Sequence, residues 1–77
     1  MKPCLIRSGE DGDPVSIKFN GRWLKINWIC KRWRIKKDWW NKEKEREYFQ
    51  IETEEGLLCE IFQDLKNGLW FIERIYD

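Results

Sequence analysis

The stretch Val15-Ser-Ile-Lys-Phe-Asn-Gly-Arg-Trp-Leu-Lys-Ile26 decides the fold. Val15, Ile17 and Phe19 alternate with Ser16 and Lys18, the period-two pattern of a half-buried strand. Asn20-Gly21 follows, a dipeptide that favours a two-residue type I′ turn because both central positions need positive φ. Counting back from that turn sets Ile17 opposite Leu24 and Val15 opposite Ile26. The apolar side chains of the two arms then share one face, as register demands.

Towards the C-terminus the second arm continues through Trp28 and Cys30 on the same face. The parity then breaks. Arg32 stands where an apolar residue is due, and Trp33 and Ile35 follow one position late. One extra residue near Lys31 or Arg32, a β-bulge, restores the phase and bends the strand. Lys37–Glu45 is polar apart from Trp39 and Trp40 and carries no apolar stripe, so it is expected as a loop. Adjacent residues on an extended chain point to opposite faces, so the two tryptophans do not both bury if that end is extended.

Arg46–Thr53 and Leu57–Gln63 read as two further strands. A three-residue loop, Glu54-Glu55-Gly56 with Gly56 left-handed, sets Thr53 against Leu57, Ile51 against Cys59 and Phe49 against Ile61. A two-residue loop sets Ile51 against Glu60 and spoils the apolar face. Leu69–Tyr76 is the last strand. Its register stays open, because Asn67-Gly68 fits either a tight turn or the close of a longer loop led by Asp64.

Towards the N-terminus, residues 1–14 carry Gly9, Gly12 and Pro14 among acidic residues and show no periodicity, which reads as a flexible lead-in. Cys4, Leu5 and Ile6 are able to add a short edge strand to it. The expectation is a single small β domain over residues 15–77. It is all-β, an antiparallel meander of about five strands curling into a small twisted sheet or a partly open barrel, since a flat sheet leaves its edges unpaired.

At 77 residues the chain has room for one thin core; a domain this short buries only roughly 60% of its unfolded surface. Six Trp, two Tyr and four Phe offset that, each aromatic burying about 150–250 Å². Cys4, Cys30 and Cys59 are too widely and irregularly spaced for a disulfide framework or a CxxC zinc site, and no His is present to complete a mixed ligand set. Cys30 and Cys59 read as small apolar residues in strands. No metal or cofactor is expected. Reduced thiols, the lack of a long apolar run and the absence of a signal-peptide pattern at the N-terminus suggest a soluble cytoplasmic protein with no membrane association.

The net charge of +1 hides a division. Residues 15–46 hold eleven Lys/Arg against three Asp/Glu, a net +8, and residues 47–77 hold two against eight, a net −6. Such asymmetry suggests nucleic acid or an acidic partner for the basic half, unless the halves form adjacent strands whose charges pair across the sheet. The basic half interleaves cations with rings in the manner of a single-strand binding platform. Arg32, Arg34, Lys36 and Lys37, with Trp39 and Trp40, are the candidate contacts. Arg34 and Lys36 share a face opposite Trp33 and Ile35 and are the better placed for phosphate. Catalysis is not expected: the commonest general base is missing, no Ser or Cys has a visible partner, and the glycines stand at turns rather than in a phosphate loop.

Three segments, Trp33-Arg-Ile-Lys-Lys-Asp-Trp-Trp40, Arg46-Glu-Tyr-Phe-Gln-Ile-Glu-Thr-Glu-Glu-Gly56 and Phe62-Gln-Asp-Leu-Lys-Asn-Gly-Leu-Trp-Phe-Ile-Glu-Arg-Ile-Tyr-Asp77, carry a resemblance. Over residues 29–77 the chain resembles a small bacterial domain of unknown function. That domain occurs free-standing and at the C-terminus of the polymerase-like subunit of the bacterial mutasome. The subunit is similar to Y-family translesion polymerases, lacks their catalytic acids and serves as an assembly hub. The resemblance implies a link to DNA-damage tolerance, and the first hypothesis is a non-catalytic adaptor module that docks on a protein of the DNA repair or replication machinery. It supplies no catalytic or ligand-binding residues. The alternative is direct, weak nucleic-acid binding through the basic Trp-rich strand and loop.

Overall fold

Every element of the computed structural model, which describes residues 1–36 and 45–76, is a β-strand. The strands are β1 (Lys2–Cys4), β2 (Ile6–Ser8), β3 (Pro14–Phe19), β4 (Arg22–Lys36), β5 (Glu45–Thr53), β6 (Leu58–Asp64) and β7 (Trp70–Tyr76). They form one antiparallel sheet in the order β1-β7-β6-β5-β4-β3-β2. The run β3 to β7 is the expected meander, and it curls into a partly open barrel.

The expected flexible lead-in carries the two remaining strands. β1 pairs with β7 (Lys2 opposite Ile72, Cys4 opposite Trp70) and β2 pairs with β3 (Ile6 opposite Ile17). Only Leu5 separates them, yet they lie at opposite edges of the sheet, so the N-terminal segment straps one edge to the other. The Leu5 carbonyl accepts a hydrogen bond from the Lys18 amide at 3.0 Å. The apolar side chains of Cys4 and Ile6, packed against the core, are what hold the strap in place.

Both decisive turns follow from local chemistry. Asn20 (φ 50°) and Gly21 (φ 78°) are both left-handed, and Ile17 lies opposite Leu24. At the second turn Gly56 has φ 84°, Thr53 and Leu57 are hydrogen-bonded, and Ile51 faces Cys59 and Phe49 faces Ile61. Thr53 is buried, and its Oγ1 accepts the Leu57 amide at 3.1 Å, which satisfies the hydroxyl oxygen inside the core. The last connection is the longer Asp64-led loop. The Asp64 amide donates to the Leu69 carbonyl at 2.8 Å, and the Asp64 side chain accepts the Lys66 amide. Trp70 then faces Gln63 and Phe71 faces Phe62.

The core gathers Ile17, Leu24, Ile26, Phe49, Ile51, Cys59, Ile61, Trp70 and Ile72. Three expectations for the first hairpin and its extension are corrected. Val15, expected inward, is the unpaired residue where the β2–β3 register shifts, and it is exposed. The single bulge expected near Lys31 or Arg32 is instead two, leaving Asn27 and Cys30 without partners in β5. Trp28 and Cys30, expected inward, are therefore exposed; and after the second shift it is Arg32, not Trp33, that falls opposite buried Phe49.

A Cβ built on Gly56 meets nothing within 4 Å, so the cost of adding one is a backbone cost alone. Gly56→Ala is expected to lower stability by about 1 kcal/mol or more. A denaturant midpoint equal to the parent's would contradict the left-handed turn.

Candidate functional site

The face of the sheet turned away from the core is built in cross-strand rows. One row runs Trp28–Glu52–Leu58–Tyr76, the next Lys31–Gln50–Glu60–Arg74, and the third Trp33–Tyr48–Phe62–Phe71. The third row is a continuous aromatic ladder. Its ring centroids are 5.3 Å apart for Trp33 and Tyr48, 5.0 Å for Tyr48 and Phe62, and 5.0 Å for Phe62 and Phe71. Tyr48 and Phe62 are buried, and the Arg46 guanidinium stands 4.6 Å from the Phe62 ring centroid. Cross-strand aromatic pairs of this kind stabilise a sheet beyond their buried area.

The first row is different, because Trp28 is 65% exposed. With Asn27 unpaired, the strand turns half a period early, and Trp28 pairs with outward Glu52 while Ile29 takes the inward place opposite Ile51. Beyond Glu52 the row ends in Leu58 and Tyr76, both half-buried. Tyr76 donates its hydroxyl proton to Glu60 at 2.9 Å. That bond to the carboxylate, together with desolvation, raises the phenol's pKa above its ordinary value.

The cations singled out by sequence lie on the other face, beyond the end of the core. Arg34 sits opposite Glu47 and Lys36 opposite Glu45, with ion pairs of 3.2 and 3.5 Å. Arg32 reaches Glu47 at 3.6 Å through Nε, forms a second pair with Asp13, and lies 5.1 Å from the Phe49 ring centroid. Of these pairs, only the two to Glu47 join the basic half of the sequence to the acidic half, since Glu45 belongs to the basic half and Asp13 precedes it. Lys37, Trp39 and Trp40 lie outside the described residues. Sequence reading missed Trp28 as a surface group, although the run Trp28-Ile29-Cys30 already breaks alternation before Arg32 does.

Two clefts open at the end of the barrel near the Asn20-Gly21 turn. One of about 390 Å³ has Phe19, Leu24 and Leu57 for its floor and the Arg22–Glu55 pair (2.5 Å) at its rim. A smaller one of about 150 Å³ lies at the seam between β1, β7 and β3. Among the described residues no group of three His, Cys, Asp or Glu side chains is placed to hold a metal ion. Burial pushes the Cys4 and Cys59 thiols up to about 11, and each is held in its neutral, poorly nucleophilic form.

These thiols give a pH prediction. Their folded-state pKa values lie above the ordinary 9.0, so the stability they contribute is present below pH 9 and is lost as pH rises towards 11. Denaturation midpoints measured across that window are expected to fall, and to fall less steeply in Cys59→Ala; parallel profiles would contradict the assignment. Comparison of the chain with models of known families, with curated proteins and with solved structures finds no match.

Proposed function

We propose that this domain is a non-catalytic adaptor that docks on a protein partner through the outer face of its sheet, with Trp28 as the apolar anchor. The exposure of Trp28 carries this reading. A large exposed ring with Glu52 directly opposite it and Lys31 further along the same strand has the make-up of an interface hot spot, an apolar centre with charge beside it, and Leu58 and Tyr76 lie farther across the same row. The partner class, a component of DNA repair or replication machinery, rests on the sequence resemblance over residues 29–77. Direct nucleic-acid binding is the weaker reading, because Arg32, Arg34 and Lys36 already face carboxylates and phosphate would have to displace Glu45, Glu47 and Asp13.

Trp28→Ala tests the proposal. The side chain is exposed, so the substitution is expected to change folding stability by less than about 1 kcal/mol. Binding to the captured partner is expected to weaken by about 2 kcal/mol or more, with the complex surviving nuclease treatment. A partner that leaves on nuclease treatment, or a single-stranded oligonucleotide that binds with a steep salt dependence, would move the function to nucleic acid.

A further inference from the structure

Pairing between β1 and β7 ends at Lys2 and Ile72. Beyond that point, along Arg74–Tyr76, β7 is paired on its β6 side only, among the described residues. Across the gap from this free edge stands the end of β3, and between them lies the seam cleft of about 150 Å³. Cys4, Phe19, Ile72 and Ile75 give it an apolar lining, and Lys2 and Lys18 stand at its margin. Ile75 pairs with Cys59 and so belongs to the core face, yet it is 43% exposed because no strand closes the sheet over it.

Among the described residues, the charged side chains that line the cleft are of one sign, although Glu73 stands on the adjoining edge. No carboxylate lines this cleft, and neither lysine makes an ion pair among the described residues. The contrast with β4 is direct, where Arg32, Arg34 and Lys36 each face an acid. Register shifts at Glu73, which bends the edge, but Arg74, Ile75 and Tyr76 follow in regular register with β6. An edge of that length has room for a short added strand.

We infer that the seam takes an extended acidic segment of a protein partner, added as a strand antiparallel to β7 beside Arg74–Tyr76. The strand continues the line of β1 and pairs with the free edge. One of its apolar side chains enters the cleft against Ile75, and flanking carboxylates meet Lys2 and Lys18. Main-chain bonding supplies affinity in this mode and the alternating side chains supply specificity. A free anionic amphiphile matches the charge and the apolar lining but leaves the edge amides unpaired. The inference does not rest on Trp28, which is on β4 and the outer face, although the edge residues Arg74 and Tyr76 also belong to outer-face rows.

The experiment uses the full chain and a short synthetic peptide alternating valine with glutamate, capped at both ends. Fluorescence anisotropy is expected to show saturable binding. Amide exchange followed by NMR is expected to slow within Arg74–Tyr76 when the peptide is present. The double substitution Lys2→Glu and Lys18→Glu is expected to weaken binding about tenfold, the loss of two exposed ion pairs, while Trp28→Ala leaves it unchanged. Any of four results overturns the inference: no binding, unchanged exchange at Arg74–Tyr76, equal binding of a valine–lysine peptide, or loss of binding in Trp28→Ala. The last would assign the peptide to the outer face and leave the adaptor proposal standing without the seam.

Discussion

β4 has to serve two neighbours that lie in different directions, and the rest of the domain depends on how it does so. Its first residues, Arg22–Lys25, pair with β3, and from Ile26 onward it pairs with β5. A straight strand cannot turn between those partners without losing ladder bonds. The unpaired residues Asn27 and Cys30 supply the bend, since each bulge adds local twist and reverses which face the following side chains take. Two reversals in close succession account for three features: Ile29 is turned inward, Trp28 is turned outward, and Arg32 stands over the ring of Phe49 at the margin of the core.

The distribution of charge follows from the same bend. Once the phase is set, Arg34 and Lys36 fall directly opposite Glu47 and Glu45, and Arg32 comes within reach of both Glu47 and Asp13. Exposed pairs of this kind contribute little each, about 0–1 kcal/mol, so they do not hold the fold together. Their effect lies in register: a slip of one residue would place every one of these cations on the wrong face. The Asp13 pair also ties the turn before β3 to the far half of β4, two parts of the chain that no ladder connects. On the opposite face the aromatic ladder links four strands by ring contact, and Tyr48 and Phe62 bury there as fully as the core residues do.

The five-stranded meander was legible in the sequence because its signals are local. Asn20-Gly21 and Glu54-Glu55-Gly56 each determine a register through the backbone, and alternation on either side confirms it. The bulges were less legible. Alternation reports that a phase changes but not where, and Asn27, a residue depleted in strands, was the only local mark of the first one. The strap was legible only in part: Cys4–Ile6 reads as able to add one short edge strand, but nothing in Lys2–Ser8 alternates over enough residues to signal two, and their pairing is dictated by edges that exist only once the sheet has formed. The candidate site divided along the same line. That Arg34 and Lys36 share a face follows from spacing, and charge pairing across adjacent strands was open from the charge division, but which acids meet them depends on the register of β4 against β5, which the two bulges shift.

The N-terminal strap has a consequence for how the molecule is made. Synthesis delivers β2 and its neighbour β3 together, but the partner of β1 is the final strand, so closure joins the first residues of the chain to the last. That contact spans nearly the whole sequence, and its loop-closure entropy is met only after the intervening strands have condensed. Until β7 leaves the ribosome, Cys4 has no edge to pair with and its side chain has no core to enter. Closing the sheet into a barrel is therefore the step with the longest loop to close.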